Sequence, residues 1–260
     1  MNTRSKSSSF IFRVIRPFFS IGFWKLNLRT LQIKRLFHTR KERPYLEYLQ
    51  TYYSREINPY YEQVEDKWFF LRSLIIDLAE LSPGEWVLDL GTGVGFQAMA
   101  FATKGHKTFG ADLIVDRLVL AKERHRHSNL HWLAADVRGL PLPDNSFDVV
   151  AVSLMLHDMP IPVLRSTLKE ISRVARRRVV IAEPSLPQTR LFAMLYRLVV
   201  PLLDESLFLK EYLDTNMEVL FEEAGLQPLH QSHLAKDTLT IYVCNASGQA
   251  TIDEKSASEG

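Results

Sequence analysis

From Trp86 onward the chain alternates short apolar runs with helix-length amphipathic stretches. WVLDLG (86–91), HKTFGAD (106–112), LHWLAAD (130–136), SFDVVAVSL (146–154) and RRVVIAE (177–183) read as strands. The fourth is almost wholly apolar, as in a strand covered on both faces. Between them, segments 96–103, 114–124 and 161–175 carry helical periodicity. A helical pair follows the fifth strand, and QPLHQSHL and TLTIYVC then form a hairpin candidate. Strands separated by helix-length connections predict an α/β fold, a mostly parallel sheet with helices on both faces and right-handed crossovers.

Before this alternation, residues 42–81 read as N-terminal helices. Tyr45, Tyr48, Leu49, Tyr52 and Tyr53 recur near helical spacing until Asn58-Pro59 interrupts them. Trp68, Leu71, Ile75 and Leu78 then line one stripe of a second helix, which Ser82-Pro83-Gly84 ends. The domain proper runs over 82–246, with an apolar helical insert at 187–212, and GQATIDEKSASEG within 247–260 reads as a disordered tail.

Charge divides the chain unevenly. Ten of its 32 basic residues, and none of its 30 acids, fall in residues 1–41, which leaves 22 bases against 30 acids, net −8, in the rest. An acidic body argues against a nucleic-acid partner. The basic extension also holds Phe and Trp, but Arg13, Arg16 and Pro17 break its apolar run, so it is too short to cross a bilayer and lacks a secretory cleavage pattern. Three readings fit it: peripheral contact with an anionic membrane, an organelle transit peptide, or a helical extension packed on the body. The expected location is cytoplasmic, with peripheral membrane attachment or organelle targeting as the open variants. Cys244 is the only cysteine, and the histidines do not cluster with acids, so neither a disulfide nor a metal site is expected.

The chemistry concentrates in VLDLGTGVG. Gly91, Gly93 and Gly95 fall where a buried strand turns sharply into a helix, a place that calls for positive φ and for backbone without side chains. A dinucleotide fingerprint would need glycine at position 96, where the chain has Phe96. Asp89 beside the turn suits a cationic or amino-bearing ligand better than a pyrophosphate. Asp112 ends the second strand, placed to accept from two ribose hydroxyls, and Asp136 ends the third, placed with the Val137 amide to read an adenine edge.

With these residues the chain resembles class I S-adenosylmethionine-dependent methyltransferases, in the group that includes the ubiquinone and menaquinone biosynthesis enzymes. The resemblance runs from about Leu81 to Ala246 through VLDLGTGVG, GADLIVDRLVLAKER, AADVRGLPLPDNSFDVVAVSLMLHDMP, RRVVIAEPS and EVLFEEAGL. It implies a Rossmann-like sheet of seven strands with the last antiparallel. It also implies S-adenosylmethionine as cofactor: Gly91, Gly93 and Gly95 around its methionine part, Asp89 at the amino group, Asp112 on the ribose, Leu113 against the adenine, Asp136 and Val137 at its edge, and Ser153 and Leu154 near the methyl group.

A sulfonium methyl is already activated, so the protein's task is to align the acceptor and, for a phenol or enol, to remove a proton. His157 in LMLHDMP is the candidate base, with Asp158 adjacent; relatives often carry a second histidine at that place. The apolar stretch TRLFAMLYRLVVPLL fits a lid, core packing or a subunit contact. With Tyr45, Tyr52, Tyr53, Tyr60 and Tyr61 it points to an apolar, quinone-like or lipid-like acceptor. The competing classes are an NAD-dependent oxidoreductase on a related sheet and a non-enzymatic cofactor-binding scaffold.

Overall fold

A computed structural model describes residues 45–53, 69–203 and 206–246. The expectations for residues 1–41, for 54–68 with Tyr60, Tyr61 and Trp68, and for the tail lie outside the described residues.

The elements follow in the order α1 Tyr45–Tyr53, α2 Phe69–Ala79, β1 Trp86–Leu90, α3 Phe96–Thr103, β2 Lys107–Asp112, α4 Val115–Arg124, β3 Leu130–Ala134 and β4 Phe147–Ser153. A 3-10 turn, Leu156–Asp158, leads to α5 Ile161–Val174 and β5 Ala175–Pro184. Then come α6 Arg190–Leu203, α7 Leu209–Leu213, α8 Met217–Glu223, β6 Leu226–Leu234 and β7 Leu239–Ala246.

Among the described residues seven strands form one sheet in the order β3-β2-β1-β4-β5-β7-β6. The pairs from β3 across to β5 are parallel. The final strand, β7, inserts antiparallel between β5 and β6. The expected mostly parallel Rossmann-like sheet with an antiparallel last strand is therefore the observed one, with strand ends shifted by one or two residues. One shift of two residues matters for the site: β3 stops at Ala134, so Asp136 lies two residues beyond the strand it was expected to end.

Successive residues of the central strands point to opposite faces, and the core divides accordingly. Leu88, Val150, Val152 and Ile181 meet Leu164, Leu168 and Ile171 of α5 on one face. Val87, Val149, Ala151 and Val180 meet Leu71 and Ile75 of α2 on the other. Helix α5 forms because its apolar residues recur at three and four, and Pro162 in its first turn takes no intrahelical hydrogen bond away.

Strand order reverses between β1 and β4, since β2 lies to one side and β5 to the other. In open α/β sheets the crevice outside the strand C-termini at such a reversal is where ligands bind. The β1–α3 turn, the end of β2 and the loop after β4 all open there.

Candidate active site

The three glycines of the β1–α3 turn all adopt positive φ, 68° at Gly91, 57° at Gly93 and 86° at Gly95. The turn directs its amides inward. Gly91 N and Thr92 N donate to the Ala111 carbonyl, Gly95 N to the Thr92 carbonyl, and Gly93 N to Asp112 Oδ2 at 2.9 Å. A phosphate cradle needs such amides to face the ligand. This arrangement therefore speaks against the dinucleotide reading.

Two of the glycines also make room for the protein's own side chains. A Cβ on Gly91 would lie 2.4 Å from the Met155 sulfur, and one on Gly95 would lie 2.3 Å from the Trp132 ring. Trp132 of β3 also covers Gly110 of β2. Gly95 thus admits an indole, while Met155, from the loop after β4, reaches back over the bend at Gly91.

Asp89 is fully buried. Its Oδ2 accepts from the Thr92 hydroxyl at 2.6 Å, and the Ala98 backbone adds a second hydrogen bond. Burial pushes its carboxyl up to about 7 against those hydrogen bonds. A group so poised gains most from a cation placed beside it. Asp112 is buried too, and besides Gly93 N it accepts from Ile114 N on Oδ1 at 2.8 Å. Its two oxygens knit the ends of β1 and β2 into one rim, and each keeps lone pairs for a hydroxyl. Leu113 beside it is partly exposed.

Asp136 behaves differently. Its carboxylate holds its own neighbour Arg138, through Nε at 2.9 and 3.0 Å and through the backbone amide at 2.9 Å. The guanidinium keeps the Asp136 carboxyl below its ordinary range. Val137 packs against the main core. An adenine amino group would share this carboxylate with Arg138.

At the end of β4, Ser153 pairs with Ala182 of β5 and is partly exposed. Leu154 takes a positive φ of 53°, a conformation that costs a non-glycine residue on the order of 1 kcal/mol and is concentrated at functional sites. The bend swings residues 155–158 over the sheet end, where one buried carboxylate gathers them. Glu183, fully buried near the end of β5, accepts from Met155 N and Leu156 N on Oε1, each at 2.7 Å. Its Oε2 lies 2.7 Å from His157 Nδ1.

In the neutral form of the imidazole, a carboxylate engaged as acceptor in this way makes Nδ1 the protonated nitrogen and leaves the lone pair on Nε2. The Tyr212 ring stands edge-on to the imidazole at 6.3 Å, and Ser206 Oγ donates to the His157 carbonyl at 2.8 Å. The candidate base is therefore oriented by Glu183 and not by its neighbour Asp158. Sequence reasoning missed Glu183 and Met155. The one signal for Glu183 was a lone carboxylate closing the apolar run VVIA.

Asp158 faces α1 instead, where it accepts from the Tyr53 hydroxyl. The Arg117 guanidinium of α4 lies 4.6 Å over the Tyr53 ring and donates to the Tyr53 carbonyl at 3.3 Å. Helix α1 thus bridges from α4, beside the ribose-side acid, to the loop that carries His157. Its other end sets Tyr45 edge-on to Phe208. Burial, and then the Asp158 charge, raise the Tyr45 phenol well above its usual range.

The residues present fit S-adenosylmethionine. The bend bars side chains at Gly91 and Gly95 and turns its amides inward, Asp89 is a buried acid that burial keeps from full ionisation despite the Arg72 charge, and Asp112 is a rim acid with acceptor capacity left. Among the described residues no group of histidine, cysteine and acids could hold a metal ion.

Fold and site together resemble those of class I S-adenosylmethionine-dependent methyltransferase domains. Residues 87–178 match a family model described as a methyltransferase domain. In sequence the chain is related to demethylmenaquinone methyltransferases. It is 31% identical over 151 residues to that of Paenarthrobacter aurescens strain TC1, covering 54% of this chain and 57% of the relative. It is 32% identical over 127 residues to that of Renibacterium salmoninarum, covering 48% and 52%. The chain thus spans about half the length of the curated relatives it matches.

Among solved structures, a Bacillus halodurans C-125 protein assigned as a methyltransferase superposes with a TM-score of 0.52 at 25% identity, covering 62% of this chain and 71% of that one. A methyltransferase from Aquifex aeolicus gives 0.53 at 20% identity, covering 67% and 89%, a likeness of fold.

Proposed function

We propose that this protein transfers a methyl group from S-adenosylmethionine to a small, apolar, quinone-like acceptor, with His157 as the general base. The observation that carries the reading is the buried His157–Glu183 pair, held by the β4 and β5 ends directly beyond the glycine bend. The names of the relatives support the acceptor class, since a reduced quinone offers acidic phenolic hydroxyls whose loss of a proton creates the nucleophile.

The cofactor supplies a methyl group on a positively charged sulfur, which needs no further activation. The chain's own residues do the rest. The bend at 91–95 and the rim acids Asp89 and Asp112 would orient the donor, beside Met155, which lies over Gly91. Nε2 of His157 takes the acceptor's proton while Glu183 stabilises the imidazolium that results. Helix α1 is clasped to the loop that carries His157 through Tyr53 and Asp158.

The test is incubation of the full chain with methyl-labelled cofactor and a reduced 2-demethyl naphthoquinone, followed by mass analysis. Label on the quinol ring or its oxygen is the expected result. Cofactor binding without label in that acceptor or in any cell-extract fraction would overturn the reading in favour of a non-enzymatic scaffold.

A further inference from the structure

Helix α6 presents a second apolar surface that the core does not use. Phe192, Ala193, Tyr196 and Val200 lie on its inner arc, and Tyr196 and Val200 pack against the main core. On the opposite arc Leu191 is 60% exposed, Met194 61%, Leu195 44%, Leu198 68% and Val199 44%. At 100° per residue these five fall within one continuous band, and Arg190 and Arg197 share one edge of it. Arg197 is held by Asp214 at 3.1 Å, at the surface.

Five large apolar side chains in one exposed band exceed what scattered surface residues account for. Three observations say what covers them. No acid occurs from 185 to 203, and ten cations without a single acid occupy residues 1–41, so the chain offers positive charge beside and apart from the band. Among the described residues no helix is long and apolar enough to cross a membrane, and a 14-residue helix with an apolar arc and cationic edge lies in an interface plane instead. The helix also belongs to the acceptor side of the molecule: α6 packs against α7, and α7 against the turn that carries His157.

We infer that the outer arc of α6 docks on an anionic phospholipid bilayer, setting the acceptor side of the site at the surface where an apolar acceptor resides. The inference rests on the proposed acceptor class, but the surface itself can be tested without it.

The full chain is mixed with vesicles of phosphatidylcholine alone and of phosphatidylcholine with phosphatidylglycerol, and sedimented. The wild type is expected to partition onto the anionic vesicles. Leu195→Glu/Leu198→Glu should lower that partition by on the order of tenfold for each leucine replaced. Leu195→Ser/Leu198→Ser should lower it less, and calorimetric affinity for S-adenosylmethionine should stay the same in both, which shows the fold intact. No partition of the wild type, or equal partition of the variants, would overturn the proposal. So would a wild-type dimer that both double variants convert to monomers with no change at the vesicle, since the band would then join two copies of the chain. Vesicle partition and methyl transfer to a soluble quinol by the wild type are measured independently, so failure here and failure of the proposed activity are separate results.

Discussion

Glu183 lies 2.7 Å from His157 Nδ1 while also accepting from the amides of Met155 and Leu156. One carboxylate therefore both shapes the loop after β4 and sets the tautomer of the imidazole at its tip. Glu183→Gln keeps the shape but offers Nδ1 a group that donates as well as accepts. We expect kcat to fall by roughly 10- to 100-fold with cofactor affinity unchanged, and His157→Ala to cost about 10²–10⁴-fold. The two variants together should cost little more than His157→Ala alone. Steady-state kinetics on the three proteins checks this, and independent, multiplying losses would count against the pair acting as a unit.

Asp112→Ala removes an acceptor from the Gly93 and Ile114 amides and from the ribose at once. We expect cofactor affinity to drop by about 1–3 kcal/mol, measured by calorimetry. Asp112→Asn, which keeps one acceptor oxygen, should fall in between.

The folded-state value of about 7 for Asp89 lies above the 3.8 of an ordinary aspartate. The folded protein therefore holds a proton that the unfolded chain loses at lower pH. The associated stability, up to about 4 kcal/mol, is fully present below pH 4 and is lost as pH rises through 7. Urea midpoints of the wild type against Asp89→Asn, followed from pH 5 to 8, should show the wild type losing ground over that window. A bound cation favours the ionised form, so affinity for S-adenosylmethionine, and for its demethylated product, which keeps the same ammonium, should rise with pH through about 7 in the wild type. The same rise in Asp89→Asn would contradict this.

Tyr53→Phe removes the hydroxyl that meets Asp158, whose other oxygen, Oδ1, is buried without a partner among the described residues. We expect a cost of about 1–3 kcal/mol, concentrated in the attachment of α1. Faster proteolysis within α1 and a raised acceptor KM, with the global urea midpoint nearly unchanged, would express it. An unchanged cleavage rate would show that the clasp does not hold the helix.

Gly95→Ala forces a side chain into positive φ and against Trp132. The expected destabilisation is about 3 kcal/mol, and Trp132→Leu in the same chain should recover part of it. Thermal melting of the two variants distinguishes this packing role from a role confined to ligand contact, in which the second substitution would recover nothing.

Much of this architecture was legible in the amino-acid order. Strands β1, β4 and β5 announce themselves because both faces are covered, which leaves apolar runs such as VVAV and VVIA. Asp112 stands at the crevice rim as its place at a strand end implied. What escaped depends on contacts across the sheet. Glu183 and His157 are 26 positions apart and meet only because β4 and β5 are neighbours, and Asp158, the adjacent acid, diverges towards α1. That Gly95 also makes room for the Trp132 indole escaped, because nothing local to VLDLGTGVG points to Trp132. Asp136 slipped past the end of β3 because LHWLAAD has no break at Ala134.

The sheet order carries a consequence for how the chain reaches this state during synthesis. Strand β7 comes last along the chain yet lies inside the sheet, between β5 and β6. Until residues 239–246 emerge from the ribosome, the edge of Val179, Val180 and Ile181 has no neighbour on one side. A nascent or prematurely stopped product ending before Leu239 would carry a bare, sticky strand border, a template for pairing between molecules.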